Sequence, residues 1–239
     1  MDAACSCMPL RHSFCPIALI SRFPGPLIRK KTKRLPYRSL ILDNAEGSAL
    51  EKSSSESVTR RLILLRHAES TWSNHSLRDH ERPLSKAGRA DAADVSYKLQ
   101  RLGWVPELIL CSDAARTRET LSVMQERCTG FLQAAVHFFP SFYSVAAMDG
   151  QTAEHLQQMI CKFSSDDILT VMCMGHNKGW EEAASMFTGS VIELKTCNAA
   201  LLEATGKSWE EAFESAGLGG WKLQGLVKPN SSLENYVPT

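Results

Sequence analysis

Basic side chains follow three apolar segments of this sequence. The first segment ends in Arg66 and His67, the second is followed by Arg116, and the third by His176. The planar fork of donors on an arginine matches the oxygens of a phosphate group. A neutral imidazole can attack phosphorus and hold the phosphoryl group covalently. Two arginines and two histidines gathered at one place would form an anion site, whereas a lone histidine there would be a structural residue or a cap.

The elements that must position these residues have the pattern of an α/β fold. The three apolar runs, 61–65, 107–111 and 168–174, are typical of buried parallel strands. Further strand patterns lie at 135–139, 199–203 and 221–227, and helical patterns lie at 83–102, 113–128, 152–163, 180–187 and 209–216. This alternation predicts a mostly parallel central sheet with helices on both faces. Because ligands bind such sheets at the carboxyl ends of strands, we expect the basic residues to meet there.

The N-terminal region differs sharply in charge from the rest of the chain. Residues 3–42 contain eight Lys or Arg and no acid, so the first 42 residues carry +7 and the remaining 197 carry −6. An Arg-rich, acid-poor leader is typical of an organelle transit peptide, although a basic tail retained on the protein has the same composition. We predict a disordered transit peptide at 1–42, a flexible linker at 43–58 and a folded domain at 59–239.

The composition argues against several classes of protein. A net charge of +1 is unlike that of a dedicated nucleic-acid binder, and no apolar run reaches the roughly 18 residues of a membrane span. None of the eight cysteines forms a CxxC pair, so no zinc site is indicated. Cys111 and Cys173 fall in strand patterns and are expected to be buried, inert thiols. We predict no metal and no cofactor, since the arginines supply the positive charge and no Gly-rich nucleotide loop is present.

Four ordered segments resemble those of the histidine phosphatase superfamily, which also contains the phosphoglycerate mutases. They are 64–69 (LLRHAE), 79–88 (DHERPLSKAG), 112–120 (SDAARTRET) and 174–177 (MGHN). Their spacing and the tail 221–229 (WKLQGLVKP) are most similar to the short phosphohistidine phosphatases of the SixA type. The resemblance implies a phosphoglycerate mutase-like three-layer sandwich and a hydrolase that forms a covalent phosphohistidine.

The resemblance also implies roles for the four basic residues. His67 matches the nucleophile of the family. Arg66 and Arg116 match the two arginines that bind the phosphate, and His176 matches the second pocket histidine, which holds a phosphate oxygen. For Ser112 we expect a different, structural role as the N-cap of the following helix.

No general acid can be assigned from the sequence. Asp149 and Glu154 are the candidates, and Glu69 and Asp79 are further options for which we favour structural roles. Asn177 stands where the acid phosphatases of the family often have an aspartate. An alkyl ester leaves as a poor alkoxide and needs a proton donor, while imidazole titrates near pH 6.5 and is a good leaving group. A pocket without an acid therefore favours phosphohistidine over sugar phosphates.

Alternative functions remain open at this point. The chain could be a small-metabolite phosphomonoesterase, a phosphoglycerate mutase-like enzyme, or a non-catalytic module that binds phosphate. Its partner would be a phosphorylated substrate such as a phosphohistidine protein, with neither nucleic acid nor membrane involved. Trp72 would either line the pocket rim or pack in the core. The leader favours the chloroplast, with the mitochondrion or cytoplasm as alternatives, and the oligomeric state is not indicated.

Overall fold

The computed structural model describes residues 57–73, 75–148 and 150–232. The predicted transit peptide at 1–42 lies outside these residues, as do positions 43–56 of the predicted linker. Within the described ranges, none of the helices has the length and apolar character needed to cross a bilayer.

Six strands of the described chain form one mixed sheet in the order β3-β2-β4-β1-β5-β6. They are β1 (Val58–Arg66), β2 (Leu108–Ser112), β3 (Ala135–Phe139), β4 (Thr170–Gly175), β5 (Ala199–Gly206) and β6 (Lys222–Val227). The first four strands run parallel to one another, while β5 is antiparallel to both β1 and β6. The predicted mostly parallel sheet is thereby confirmed, with an antiparallel edge.

Helices cover both faces of this sheet. On one face lie α1 (Lys86–Arg101), α2 (Ala115–Arg127) and α3 (Thr129–Gln133), and on the other lie α4 (Ser141–Val145), α5 (Thr152–Phe163), α6 (Asn177–Thr188) and α7 (Trp209–Ala216). Successive side chains of a strand point to opposite faces. In β1, Leu62 and Leu64 therefore join one core while Ile63 and Leu65 join the other. Burial on both faces explains the continuous apolar run and confirms the three-layer α/β architecture.

Most predicted elements have the predicted positions. The bounds of β3, α5 and α7 match, whereas β1 begins earlier, at Val58, and β5 continues to Gly206. The short helices α3 and α4 and a single 3₁₀ turn at Asp79–Glu81 were not predicted, because such short segments show no periodicity. Cys111 and Cys173 are fully buried, as expected, and burial raises the pKa of both thiols.

The start of α1 is fixed against the loop that follows β1. The Ser85 hydroxyl caps α1 by accepting from the Gly88 amide at 2.9 Å, and the Ser85 amide donates to the Glu69 carbonyl. A Cβ at Gly88 would lie 2.2 Å from that carbonyl oxygen. The glycine thus permits the close approach that holds this loop in place. At the other end, Gly103 has φ +73° and ends the helix as predicted.

Candidate active site

The carboxyl ends of β1, β2 and β4 bring the predicted basic residues to one edge of the sheet. Arg66 is the last residue of β1 and pairs with Gly175, the last residue of β4. The His67 amide donates to the Gly175 carbonyl at 3.0 Å, and His176 follows directly. Arg116 lies in the first turn of α2, just after β2. The structure therefore gathers all four of these residues.

His67 directs one basic ring nitrogen toward Arg116. Its Nδ1 lies 2.7 Å from the Ala68 carbonyl oxygen, which only accepts, so Nδ1 carries the proton. Arg116 Nε donates to Nε2 at 3.1 Å, which places the lone pair on Nε2. Burial, together with the positive charges of Arg116 and Arg66, lowers the pKa of His67 to about 4. The ring is therefore neutral at pH 7 and can act as a nucleophile.

His176 is the second neutral histidine of the site, with its ring centroid 5.2 Å from that of His67. Its Nδ1 lies 3.3 Å from Arg116 Nη2, and its Nε2 lies 2.7 Å from the Ser112 hydroxyl. With Nδ1 accepting from the guanidinium, Nε2–H donates to Ser112. Burial first, then the charges of His67 and Arg116, lowers the pKa of His176 to about 2.

The expectation that Ser112 caps α2 is wrong. The N-cap position is Ala114, which makes no side-chain cap hydrogen bond. Ser112 is fully buried, and its hydroxyl orients the ring of His176. Ser112 is thus a site residue that the sequence reasoning missed, although it begins one of the four family-like segments.

The two arginines differ in how their donors are used. Arg66 Nη1 donates to the Leu194 carbonyl at 2.8 Å, while its buried Nε has no hydrogen-bond partner among the described residues. Arg116 donates through Nη1 and Nη2 to the backbone and side chain of Asp79, at 2.6 and 2.9 Å. Both arginines and His67 line one cleft of about 220 Å³. Such a cleft, with two guanidinium groups and a neutral imidazole, can hold a tetrahedral anion.

Asp79 is a carboxylate beside this cleft, for which we favoured a structural role over that of a general acid. It accepts from Arg116 Nη2 at 2.9 Å, from Arg82 Nη1 at 2.7 Å and from the Tyr143 hydroxyl at 2.8 Å. Burial raises the pKa of Asp79, but the Tyr143 hydrogen bond and the charge of Arg116 outweigh it and hold the pKa at about 2. Asp79 is therefore ionised at neutral pH and orients Arg116. Arg82 belongs to the family-like segment 79–88, although no role was predicted for it, and Tyr143 was not singled out from the sequence.

Of the two predicted acid candidates, the structure describes only Glu154, and it lies away from the cleft. Asp149 lies outside the described residues. Glu154 is exposed on α5 and accepts from Gln158 of the same helix at 3.1 Å. Glu69 does line the cleft, where its Oε1 accepts from the Ser85 hydroxyl at 2.9 Å.

Three neighbouring residues have roles that the structure now defines. Trp72 lines the rim of the cleft and is 68% exposed, so the alternative of core packing is wrong. A Cβ at Gly175 would lie 2.2 Å from the Trp180 ring, so close packing requires glycine there. Asn177 is exposed at the start of α6.

Comparison with known proteins shows which protein family the chain matches. The family described as histidine phosphatase superfamily (branch 1) matches residues 62–142, which include Arg66, His67 and Arg116. The chain belongs to the histidine phosphatase superfamily, as the four motifs predicted.

Individual proteins are similar to this chain in sequence or in fold. An uncharacterized chloroplastic protein of Arabidopsis thaliana is 68% identical over 181 residues, which cover 76% of this chain and 83% of that protein. The fold is similar to that of the putative phosphohistidine phosphatase SixA from Nakamurella multipartitia, with TM-score 0.59, 22% identity and coverage of 73% of this chain and 98% of that chain. It is also similar to the protein histidine phosphatase SixA complexed with tungstate, with TM-score 0.55, 15% identity and coverage of 71% and 97%.

Proposed function

We propose that this protein is a phosphohistidine phosphatase that transfers the phosphoryl group to His67 Nε2 and then to water. The observation that carries the proposal is the state of His67. Its ring is neutral, its proton is fixed on Nδ1 by the Ala68 carbonyl, and its lone pair on Nε2 meets Arg116 within the cleft. Membership of the superfamily and the fold of the SixA structures support it. Tungstate, a tetrahedral oxyanion like phosphate, binds one of those structures.

In the first step, Nε2 of His67 attacks phosphorus while the P–N bond of the substrate breaks. Arg116 Nε exchanges its contact with Nε2 for a phosphoryl oxygen, and the guanidinium group of Arg66, which lines the cleft, binds a second oxygen. A substrate ring that carries a proton on its other nitrogen leaves as neutral imidazole. The new positive charge on His67 strengthens the hydrogen bond from Nδ1–H to the Ala68 carbonyl.

His176 assists by donating to the phosphoryl group. This needs its proton on Nδ1, which faces Arg116, rather than on Nε2. The Ser112 hydroxyl both donates and accepts, so it supports either tautomer. With Ser112 donating to Nε2, the Nδ1–H group, which lies beside Arg116, is available to hold a phosphoryl oxygen. Preorganised donors of this kind supply much of the rate enhancement of enzymes.

In the second step, water attacks the phosphorus bound to His67. The P–N bond breaks, its electron pair returns to Nε2, and both protons of the water leave with dihydrogen phosphate. His67 regains its starting state with the proton still on Nδ1. No proton donor or base is consumed in either step.

The leaving group distinguishes phosphohistidine from phosphate esters. An alkoxide must be protonated as it leaves, which contributes about 10²- to 10⁴-fold in rate. Asp79 is ionised, with a pKa of about 2, and Glu69 accepts a hydrogen bond from Ser85. The ionised Asp79 has no proton to donate, whereas imidazole needs none. We therefore propose a phosphohistidine residue of a partner protein as the substrate.

Two versions of one peptide test this choice, one with phosphohistidine and one with phosphoserine at the same position. We expect kcat/KM to be at least about 10²-fold higher for phosphohistidine. His67→Asn should abolish turnover of both peptides. Faster hydrolysis of phosphoserine would contradict the proposal and would indicate a phosphomonoesterase.

We also propose that the protein acts in the chloroplast. The acid-poor leader has the composition of a transit peptide, and the Arabidopsis relative is described as chloroplastic. A fluorescent protein carrying residues 1–58 should accumulate in chloroplasts of plant cells. Fluorescence in mitochondria or the cytoplasm would contradict this localisation.

A further inference from the structure

The side chain of Trp72 is placed unlike those of the other four tryptophans. Trp104, Trp180, Trp209 and Trp221 are at most 4% exposed, whereas Trp72 is 68% exposed. Tryptophan combines a large apolar area with a planar π surface, and such side chains line ligand clefts. An exposed tryptophan on the wall of a cleft therefore points to contact with a ligand.

Arg82 holds this tryptophan in a fixed orientation. The guanidinium carbon of Arg82 lies 3.3 Å from the centroid of the Trp72 ring. Arg82 is itself 7% exposed and donates to the Thr71 carbonyl, the Asp79 carboxylate and the Ser70 hydroxyl. One face of the indole is covered by Arg82, so its exposed area lies on the opposite face and the edges. A surface held in advance loses little conformational freedom when a ligand binds.

The position of Trp72 relative to His67 indicates which part of a ligand Trp72 contacts. Both side chains line the same cleft of about 220 Å³. In phosphoryl transfer the attacking and leaving atoms lie roughly in line across phosphorus. With His67 Nε2 on one side of phosphorus, the leaving group lies on the other side, within reach of the remaining walls of the cleft, which include Trp72.

We propose that Trp72 is a specificity-determining residue that selects a planar aromatic leaving group by stacking on it. This inference rests on the proposed function, since the leaving group would be the imidazole of the substrate phosphohistidine. Stacking of two aromatic rings and attraction of a protonated ring to the indole face both favour this leaving group. A leaving group without a ring gains neither interaction.

Two P–N substrates test the inference: a phosphohistidine peptide, and phosphoramidate, whose leaving group is ammonia. For Trp72→Ala we expect the ratio of kcat/KM for the peptide to that for phosphoramidate to fall about tenfold, mainly through KM, as loss of ring stacking implies. Trp72→Phe keeps a planar ring and should retain most of the ratio. Tyr97→Ala removes another exposed aromatic residue, from α1, and should leave the ratio unchanged.

An unchanged ratio in Trp72→Ala would overturn the inference, as would an equal loss in Trp72→Phe. The wild-type protein separates this result from a failure of the proposed function. If wild type hydrolyses both P–N substrates, an unchanged ratio counts against Trp72 alone. If wild type hydrolyses neither, the proposed function fails and the inference fails with it.

Discussion

At the level of single residues, the site depends on two histidines that are kept neutral by burial. His67 and His176 have their pKa values lowered to about 4 and about 2, and the charge of Arg116 adds to the effect of burial at both. The positive charge offered to a phosphoryl group at neutral pH therefore comes from the arginines. The histidines supply a lone pair and an oriented N–H group.

The pH dependence of catalysis should show this state of His67. Because Nε2 must be unprotonated to attack, we expect kcat/KM to stay constant as pH falls from neutrality and then to decrease with a midpoint near pH 4. Rates must be corrected for the titration of the substrate itself. Between about pH 6.5 and pH 4 the unfolded ring binds a proton while the native ring does not. The free energy of unfolding therefore decreases as pH falls through this range. A catalytic midpoint near 6.5 would contradict the account.

Replacement of Ser112 should lower kcat by more than the accompanying loss of stability accounts for. Ser112→Ala leaves the Nε2 of His176 without its partner, at a cost of about 1–3 kcal/mol. We expect kcat to fall about tenfold, which is less than the roughly 10²- to 10³-fold cost of losing a donor outright, because His176 itself remains. Ser96→Ala is the matched control, because Ser96 is also fully buried and donates to the Met124 carbonyl at 3.0 Å. Both variants should lower the melting temperature, and an unchanged kcat in Ser112→Ala would exclude the role given to this hydroxyl.

At the level of elements, the loop after β1 is held by two helices. The Ala68 amide donates to the Thr120 hydroxyl of α2 at 3.1 Å, and that hydroxyl donates to the Arg116 carbonyl at 2.7 Å. On the other side, Gly88 of α1 packs against Glu69. The loop that carries His67, the proposed nucleophile, is thus tied directly to α2, the helix that carries Arg116.

A methyl group at Gly88 should disturb this arrangement. In Gly88→Ala the Cβ would lie 2.2 Å from the Glu69 carbonyl oxygen, so α1 or the loop must move. We expect a loss of about 1–3 kcal/mol of stability together with lower kcat/KM. Gly103→Ala meets no atom within 4 Å and only strains a residue with φ +73°, so it should cost about 1 kcal/mol and leave kcat/KM unchanged. Equal activity of the two variants would show that the packing of α1 does not position the loop.

The sequence predicted the elements with strong patterns and the residues next to them. Buried strands are continuous apolar runs, so β1, β2 and β4 were recognised together with Arg66, His67 and His176 at their ends. Asp79 was named only as a further option for the general acid, and Tyr143 was missed as a site residue. Their hydrogen bonds join positions 37 and 64 residues apart, in Arg116–Asp79 and Tyr143–Asp79. Tertiary packing of short segments decides such contacts, and no local pattern encodes them.

At the level of the whole molecule, one edge of a three-layer fold carries all of the proposed chemistry. Both faces of the sheet are buried under helices, so the rigid carboxyl ends of the parallel strands can position side chains for a ligand. The arginines and His67 are therefore held in place before substrate binds. This preorganisation is what a covalent phosphoryl transfer requires of its site.

The most direct test of the account is to trap the phosphorylated protein. The full chain is mixed with a phosphohistidine peptide labelled in its phosphoryl group, quenched in alkali within one turnover, and analysed by mass spectrometry. The account predicts phosphate on His67 that is lost in acid, survives in alkali and is absent from His67→Asn, with Tyr97→Ala labelled as wild type. Turnover of the peptide without label on His67, or undiminished turnover by His67→Asn, would contradict it.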